Sequence, residues 1–390
     1  MKISSVHKIY ASNFLTGLVF WYSIEKLFMR SIDIGAVGVG VLTAIFIVFL
    51  VIFDIPAGML ADKWSRKGML LVAALGLALS SLVFGKSHSA SVYLIGELLY
   101  GLYIVSAGGT YQAIMYDTLH EDGKAAQYSR INGRAYALFL LAAGIGDLAG
   151  GFVVHHYGYR MAFYATIGSC LLNVLVILSM HEPRFHKALD KDRPLQQVGQ
   201  AAMTIARMRL LQGLVVVMTM FAVIELFKLD FGQLYILRYV TAPQVIGILW
   251  AVYAFAMSLG SLIAHRFRAR LHTLIACSVV PLVLMAFIDN RFSIVLFMIQ
   301  AVASSALLNQ IETRIQESTP SHARTAVLSV VSTMGRLATI PASLLLGWLF
   351  QKYNALVAIR CVAAFAVCIL LYWIWVSRNM PVANEPTIAD

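Results

Sequence analysis

The chain has 390 residues, of which 60% are hydrophobic and only 13% are charged, and its mean hydropathy is +0.78. Soluble domains carry about 25% charged residues, so this composition excludes a water-soluble globular protein and predicts one that faces lipid. The net charge of +11 suits anionic lipid headgroups and requires no nucleic acid. With about 20 residues per crossing, the chain has room for twelve spanning helices.

Apolar runs between charged residues predict twelve spans in chain order. They lie at 9–29, 36–61, 69–85, 91–115, 131–154, 160–180, 210–229, 244–264, 271–288, 292–311, 325–350 and 356–377. We therefore expect an all-α polytopic membrane protein with an N-terminal six-helix bundle at 1–180, a cytoplasmic linker at 181–209 and a C-terminal six-helix bundle at 210–390 that ends in a short tail. Within the linker, Gln196 to Met208 fits either an amphipathic surface helix or a disordered tether.

Lysine and arginine predict the orientation. Of the 30 residues of these two types, 21 lie in loops on the side of the chain ends. The positive-inside rule therefore predicts an inner (plasma) membrane protein with both termini cytoplasmic.

Acidic residues inside the spans are the main candidates for function. Each costs about 2.5–3.5 kcal/mol at a helix centre on insertion scales, and burial favours the neutral form of a carboxyl, which can then exchange a proton for a substrate. We predict proton-coupling or substrate-binding roles for Glu25, Glu97, Asp147 and Glu225. Lys26 and Lys228 are near two of them in sequence, so an ion-paired lip outside the cavity is the alternative for those two.

The two halves of the chain repeat one another. A loop that starts at Gly58 has a partial copy at Gly260, and Gly133-Arg134 recurs as Gly335-Arg336, both 202 residues later. The segment around Glu25 recurs around Glu225, offset by 200 residues. The repeat predicts two six-helix halves related by an axis along the membrane normal.

The loop from Gly58 to Lys67 resembles the motif G-x-L-a-D-r-x-G-r-k of the major facilitator superfamily, which lies between the second and third helices of each half. Ser65 stands at a family glycine, and Ala264 replaces the aspartate in the second copy. The resemblance implies a cytoplasmic latch formed by Gly58, Asp62, Lys63, Arg66, Lys67, Asp117 and Arg336. In it, Asp117 would pair with Lys63 or Arg66, and Asp62 would meet the helix that starts near Arg336. The alternative is a positively charged loop that only fixes topology.

Glycines suit close helix packing in two places. Gly58 is expected to let two backbones approach closely. On the fifth span, a set of residues resembles the pattern g-x-x-x-G-P-x-x-G-G of drug:proton antiporters, with Asp147 in place of proline: Ala142, Gly146, Asp147, Gly150 and Gly151. The glycines predict a helix-packing face, with ordinary small-residue packing as the alternative. Glu97 to Gly101 has the spacing of the family's R-x-x-x-G element, with glutamate in place of arginine.

Polar and aromatic residues in the spans provide candidate cavity walls: Asn13, Trp21, Tyr22, Asn309 and Gln310. The aromatic ones have an alternative role as interface anchors or packing residues. We find no buried Arg or Lys at mid-membrane, which counts against uptake of an anionic nutrient. H-E-x-x-H and G-x-S-x-G motifs are missing from the sequence, so we expect no enzyme, no cofactor and no metal.

The resemblance implies a secondary transporter that exports a small amphipathic compound or drug in exchange for protons by alternating access. Its partners would be a small-molecule substrate, protons and membrane lipids, and it would work as a monomer. The alternatives are a proton-coupled nutrient uptake symporter and a transport-dead sensor in the same fold.

Overall fold

The computed structural model describes residues 5–182, 194–267, 271–320 and 323–379. Regular structure in these ranges is helical, and ten of the described segments are long and apolar enough to cross a membrane. Two predicted spans are not among the ten. The ninth, Leu271–Phe287, has only 17 residues, and the first is broken. Exposed side chains include Phe255 and Leu262, each 71% exposed, as lipid-facing helices require. The predicted all-α polytopic fold is confirmed.

One compact unit comprises Met1–Asp190 and Val240–Ala254. It contains α1 (Ser5–Gly17), α2 (Glu25–Ser31), α3 (Ala36–Lys63), α4 (Arg66–Lys86), α5 (Ala90–Ala107), α6 (Thr110–Glu121), α7 (Tyr128–Tyr157) and α8 (Tyr159–Leu178). An apolar core forms where α1, α4, α6, α7 and α8 meet, and it includes Ile9, Leu70, Ile114, Ile131 and Ile177.

The other unit comprises Lys191–Tyr239 and Phe255–Asp390. Its helices are α9 (Pro194–Arg207), α10 (Arg209–Leu226), a π-helical turn (Phe227–Phe231), α11 (Gly232–Ile236), the second part of α12 (Pro243–Ile263), α13 (Leu271–Phe287), α14 (Ser293–Ser318), α15 (Arg324–Lys352) and α16 (Ala355–Arg378). Helix α9 favours the helical alternative for the linker. The predicted bundle limits at 1–180, 181–209 and 210–390 stay a prediction, since the two compact units divide the chain at other residues.

The first predicted span is not one continuous helix. Residues 18–21 leave the helical path, and a short 3-10 turn joins them to α2. Side chains of α8 bind the freed backbone groups: the Phe20 N–H donates to the Thr166 hydroxyl at 3.0 Å, and the Ser169 hydroxyl donates to the Leu18 carbonyl at 2.8 Å. A break inside a bundle is tolerated when neighbouring helices satisfy its backbone in this way.

The glycine face of α7 packs against this break. A Cβ built at Gly146 would lie 2.3 Å from the Val19 carbonyl oxygen, and one at Gly150 would lie 1.8 Å from the Phe20 carbonyl oxygen. A Cβ at Gly151 would lie 2.6 Å from the Pro243 carbonyl oxygen of α12. Only glycine permits such an approach, so Gly146 and Gly150 let the unwound segment pack against α7, and Gly151 lets α12 do so.

A buried polar network joins α1, α6 and α8. The Tyr111 hydroxyl lies 2.9 Å from the Ser12 hydroxyl and 2.7 Å from the Thr16 hydroxyl. Asn173 accepts a hydrogen bond from Ser12 at 2.7 Å and donates one to Thr16 at 2.9 Å. Because each member has a partner, the network fixes the three helices without leaving an unsatisfied group at its centre.

Replacing Gly150 by alanine tests the packing of the break. Gly150→Ala places a methyl group against the Phe20 carbonyl, and we expect a loss of about 1–3 kcal/mol in stability, measured as thermal unfolding of the purified protein in detergent. Gly144→Ala on the same helix is the control, because no atom lies within 4 Å of its Cβ position. Alanine there should leave stability unchanged or slightly raised. Equal effects of the two substitutions would contradict the packing account.

Candidate functional site

Asp147 is a buried carboxyl on the glycine face of α7. Its residue is 5% exposed, and its Oδ1 atom has no hydrogen-bond partner among the described residues. The Ser23 hydroxyl donates to the Asp147 backbone carbonyl at 3.0 Å, which places the residue beside the break in the first span. Burial of a carboxylate without a compensating charge is costly, so the neutral form suits this position.

Glu25 begins α2, directly after the break, and is ion-paired. Its Oε1 atom lies 3.1 Å from the Lys26 Nζ atom and accepts a hydrogen bond from the Tyr93 hydroxyl of α5 at 2.9 Å. Lys26 is buried, at 3% exposure. Glu25 is therefore ion-paired with Lys26, as the alternative expected, and the lysine of the pair is buried in the first unit.

Glu97 lies on α5 one turn after Tyr93 and is buried. The hydroxyl of Tyr100, on the same helix, lies 2.8 Å from the hydroxyl of Tyr22, which follows the break. Tyr100 and Tyr93 are functional candidates that the sequence reasoning missed, because an aromatic residue in an apolar run carries no sign of its hydroxyl's partner. The structure thus places three of the four predicted carboxylates, Glu25, Glu97 and Asp147, in the first unit.

Glu225 lies at the end of α10 in the second unit. Its Oε1 atom is 2.8 Å from the Nζ atom of Lys228, in the π-helical turn. Lys228 is completely buried and donates to the Ser304 hydroxyl of α14 at 2.5 Å. The first and second units therefore each contain a buried lysine bound to a neighbouring glutamate.

Two lysines of the predicted spans are buried, whereas the absence of a buried Arg or Lys at mid-membrane, a question of depth, stays a prediction. Lys26 and Lys228 are 3% and 0% exposed. They are also 202 residues apart, the same offset that relates Gly58 to Gly260, so the sequence held a signal that the lysines occupy equivalent positions. Both lysines are ion-paired with their neighbouring glutamates, as the alternative expected, and the place of these pairs outside the cavity stays a prediction.

The cytoplasmic loop motif makes some of the contacts that were predicted for it. Arg66 forms an ion pair with Asp117 of α6, as expected. The Asp62 side chain lies outside the described residues, so its expected meeting with the helix of Arg336 stays a prediction. The close backbone approach expected at Gly58 is not found in the described part of the chain, where no atom lies within 4 Å of its Cβ position.

Glu182, which follows α8, binds the start of α4 and was missed by the sequence reasoning. Its carboxylate accepts hydrogen bonds from the backbone N–H groups of Arg66 and Lys67, both at 3.0 Å, and from the Ser65 hydroxyl at 2.8 Å. A carboxylate stabilises a helix N-terminus because it accepts hydrogen bonds from backbone N–H groups that have no acceptor within the helix, and because its charge opposes the helix dipole. The Lys67 ammonium in turn donates to two carbonyls at the end of α8, at 2.7 Å each.

Two of the predicted cavity walls are packing residues. Trp21 is 1% exposed, stacks on Phe163 and donates to the Ser81 hydroxyl at 3.1 Å, which fits the packing alternative. Gln310 is buried and donates to the Ala264 carbonyl at 2.8 Å, so it secures the end of α12. The remaining candidates keep part of their surface exposed: Asn13, Tyr22 and Asn309.

A cavity of about 370 Å³ lies in the first unit, at the end opposite the α3–α4 loop. Its walls come from the loops before α3, α5 and α8 and include Phe28, Ile32 and Tyr159. Arg160 donates to His88 at its rim, at 2.9 Å. The cavity contains none of the predicted site residues, so it is separate from the buried carboxylates. In the described ranges, no group of three or more His, Cys, Asp or Glu residues is arranged to hold a metal ion.

Residues 9–342 match the sequence profile of the Major Facilitator Superfamily. The chain belongs to this superfamily. It is thus a multi-pass membrane protein of a transporter family and not an enzyme.

Similar proteins include drug-resistance proteins. The chain is 30% identical over 132 residues to the Multidrug resistance protein MdtL of Klebsiella pneumoniae subsp. pneumoniae, covering 33% of this chain and 32% of the relative. It is 29% identical over 167 residues to the Tetracycline resistance protein, class H, of Pasteurella multocida, covering 43% and 40%. The match to MdtL thus spans about a third of that relative's length.

Solved structures resemble the whole fold. The nucleoside transporter NupG aligns with a TM-score of 0.79 at 14% identity, over 97% of this chain and 100% of that one. The D-xylose-proton symporter aligns with a TM-score of 0.73 at 11% identity, over 95% and 96%. At these identities the likeness establishes the fold alone.

Removing the charge of Glu182 tests its role at the start of α4. We expect Glu182→Gln to lower stability by about 1 kcal/mol, since the backbone donors of Arg66 and Lys67 lose a charged acceptor. Thermal unfolding in detergent measures the change. The control is Glu312→Gln, which changes an exposed glutamate on α14 and should have no effect. A Glu182→Gln variant as stable as the native protein would show that the cap is unimportant.

Proposed function

We propose that the protein is a proton-coupled secondary transporter that exports a small amphipathic compound by alternating access. It would lie in the inner membrane with both termini cytoplasmic and work as a monomer. Protons would enter from outside, neutralise a buried carboxyl and leave to the cytoplasm as the substrate is exported.

Asp147 carries the proposal. It is buried, belongs to no ion pair among the described residues and has one carboxyl oxygen without a partner there. Glu25 and Glu225, by contrast, have lysines that balance their charge. A carboxyl whose charge no neighbour balances gains the most from binding a proton or a cation, so Asp147 is the first choice for the coupling residue.

Two further observations support export. Asp147 lies within the segment that resembles the antiporter pattern, beside the glycines that hold the break of the first span. The similar proteins that give the significant partial matches include proteins named for multidrug and tetracycline resistance. Glu25 is the second candidate for the proton, because protonation would release Lys26 from it.

Proton-coupled uptake of an acid is the second candidate function. The sequence counted against it because no buried cation was expected at mid-membrane, and the buried Lys26 and Lys228 are the observation that favours it. The two modes predict opposite directions of substrate flow under the same proton gradient, so vesicle orientation distinguishes them.

We further propose that the loop motif acts as a cytoplasmic latch. The Arg66–Asp117 ion pair and the Glu182 cap connect the start of α4 to α6 and to the end of α8, which would hold the loop in place while Asp62 engages its partner near Arg336. The second copy, with Ala264 at the aspartate position, would contribute less.

Transport in inverted membrane vesicles tests the function. A panel of amphipathic drugs is assayed for uptake into vesicles that carry an inward-acid proton gradient. We expect Asp147→Asn to abolish gradient-driven uptake and Glu25→Gln to reduce it, since each variant keeps the side-chain shape but removes a titrating group. Asp122→Asn, at an exposed turn, should transport normally.

The outcome that contradicts the assignment is full proton-driven transport by both Asp147→Asn and Glu25→Gln. If the native protein instead moves a substrate only into right-side-out vesicles with protons, the uptake mode replaces export.

A further inference from the structure

Lys228 is held at the junction of two helices in the second unit. Its side chain is 0% exposed, and its Nζ atom lies 2.8 Å from Glu225 Oε1 and 2.5 Å from the Ser304 hydroxyl. An ammonium at this position is surrounded by groups from α10, its π-helical turn and α14. It is therefore a fixed positive charge inside the bundle.

Stability alone does not account for this pair. Removing a lysine and a glutamate from water costs several kcal/mol per ion, and well-packed apolar residues in their place are often equally or more stable. The first unit repeats the arrangement, with Lys26 at 3.1 Å from Glu25 and a hydroxyl of α5 bound to the pair. Two costly pairs at repeat-related positions indicate a use for the buried cation.

The surroundings of Lys228 add two observations. First, it lies in a π-helical turn, Phe227–Phe231, and such turns inside helices are frequent at functional sites. Second, Gln300 lies one turn before Ser304 on the same face of α14. Gln300 is 0% exposed, and its Oε1 atom has no partner among the described residues. Buried polar groups are normally satisfied, so this unpartnered acceptor oxygen, one turn from Ser304, indicates a place for a hydrogen-bond donor of a ligand.

We propose that Lys228 and Ser304 bind an anionic group, a carboxylate, phosphate or sulfonate, on the apolar body of the transported molecule. The inference rests on the proposed transport function and names the substrate class of that function. Glu225 is the internal counter-ion, which holds Lys228 when the site is empty and is displaced by the anion of the ligand. Exchange of one anion for another keeps the buried ammonium paired throughout, whereas a neutral or cationic molecule cannot replace Glu225.

Binding of a matched panel to the purified full-length protein in detergent tests the proposal. The probes share a naphthalene body: naphthylacetate, naphthyl phosphate and naphthalenesulfonate are anionic, naphthylacetamide is neutral, and naphthylmethyl-trimethylammonium is cationic. We expect at least one anion to bind about tenfold or more tightly than the amide, as a hydrogen bond to a charged group implies. Lys228→Arg should keep this preference, and Glu225→Gln should strengthen it, because the competing carboxylate is gone.

The double variant Lys228→Gln/Glu225→Gln distinguishes a loss of anion binding from a failure to fold. Lys228→Gln alone leaves Glu225 buried without its ammonium, whereas the double variant removes both charges and should fold. We expect it to bind the anions and the amide alike. Lys352→Gln, which changes an exposed lysine on α15, should keep the anion preference and so excludes a general effect of positive charge.

Three results would overturn the proposal: no anion preferred by the native protein, a preference that survives in the double variant, or a preference lost in Lys352→Gln. The test is independent of coupling. Proton-driven transport of cationic drugs without anion preference would keep the function and reject this site. Anion preference without proton-driven transport would keep the site and reject the function.

Discussion

Charge that water cannot reach is the constraint on which this structure depends. A buried carboxylate or ammonium needs a partner inside the bundle, since neither lipid nor packed side chains solvate it. Lys26 and Lys228 meet this need through adjacent glutamates. Asp147 differs, because one of its carboxyl oxygens has no partner among the described residues. The fold balances the charge of the two glutamates and leaves that of Asp147 to be set by a proton or a ligand.

The break in the first span links these groups. Residues 18–21 leave the helix where the glycine face of α7 packs closely against the Val19 and Phe20 carbonyls. Side chains of α8 form hydrogen bonds with the Phe20 N–H and the Leu18 carbonyl. The break sets where α2 begins, and α2 begins with Glu25. Asp147 lies on the helix that supports the break, and Ser23 of the intervening turn binds its backbone. The unwound segment therefore connects the backbone of Asp147 to the start of α2, where Glu25 lies.

Long apolar runs and charged loops were enough to predict the helical fold, and short motifs predicted the glycine face of α7 and the partner of Asp117. The break was not predictable, because residues 18–21 continue an apolar run and their backbone partners lie about 150 positions away on α8. Glu182 was missed for the same reason: its hydrogen bonds connect residues far apart in sequence. The burial of the two lysines was not predictable, because a long side chain near a helix end can reach either the headgroups or the interior. Only the positions of Tyr93 and Ser304 decide between the two.

The central claim is that Asp147 takes up and releases the proton, and infrared difference spectroscopy between acidic and alkaline pH tests it most directly. We predict that the carbonyl band of a protonated, buried carboxyl changes between the two conditions in the native protein, that the change persists in Glu25→Gln and that it disappears in Asp147→Asn. An unchanged difference band in Asp147→Asn would contradict the account, because the proton would then reside on another group.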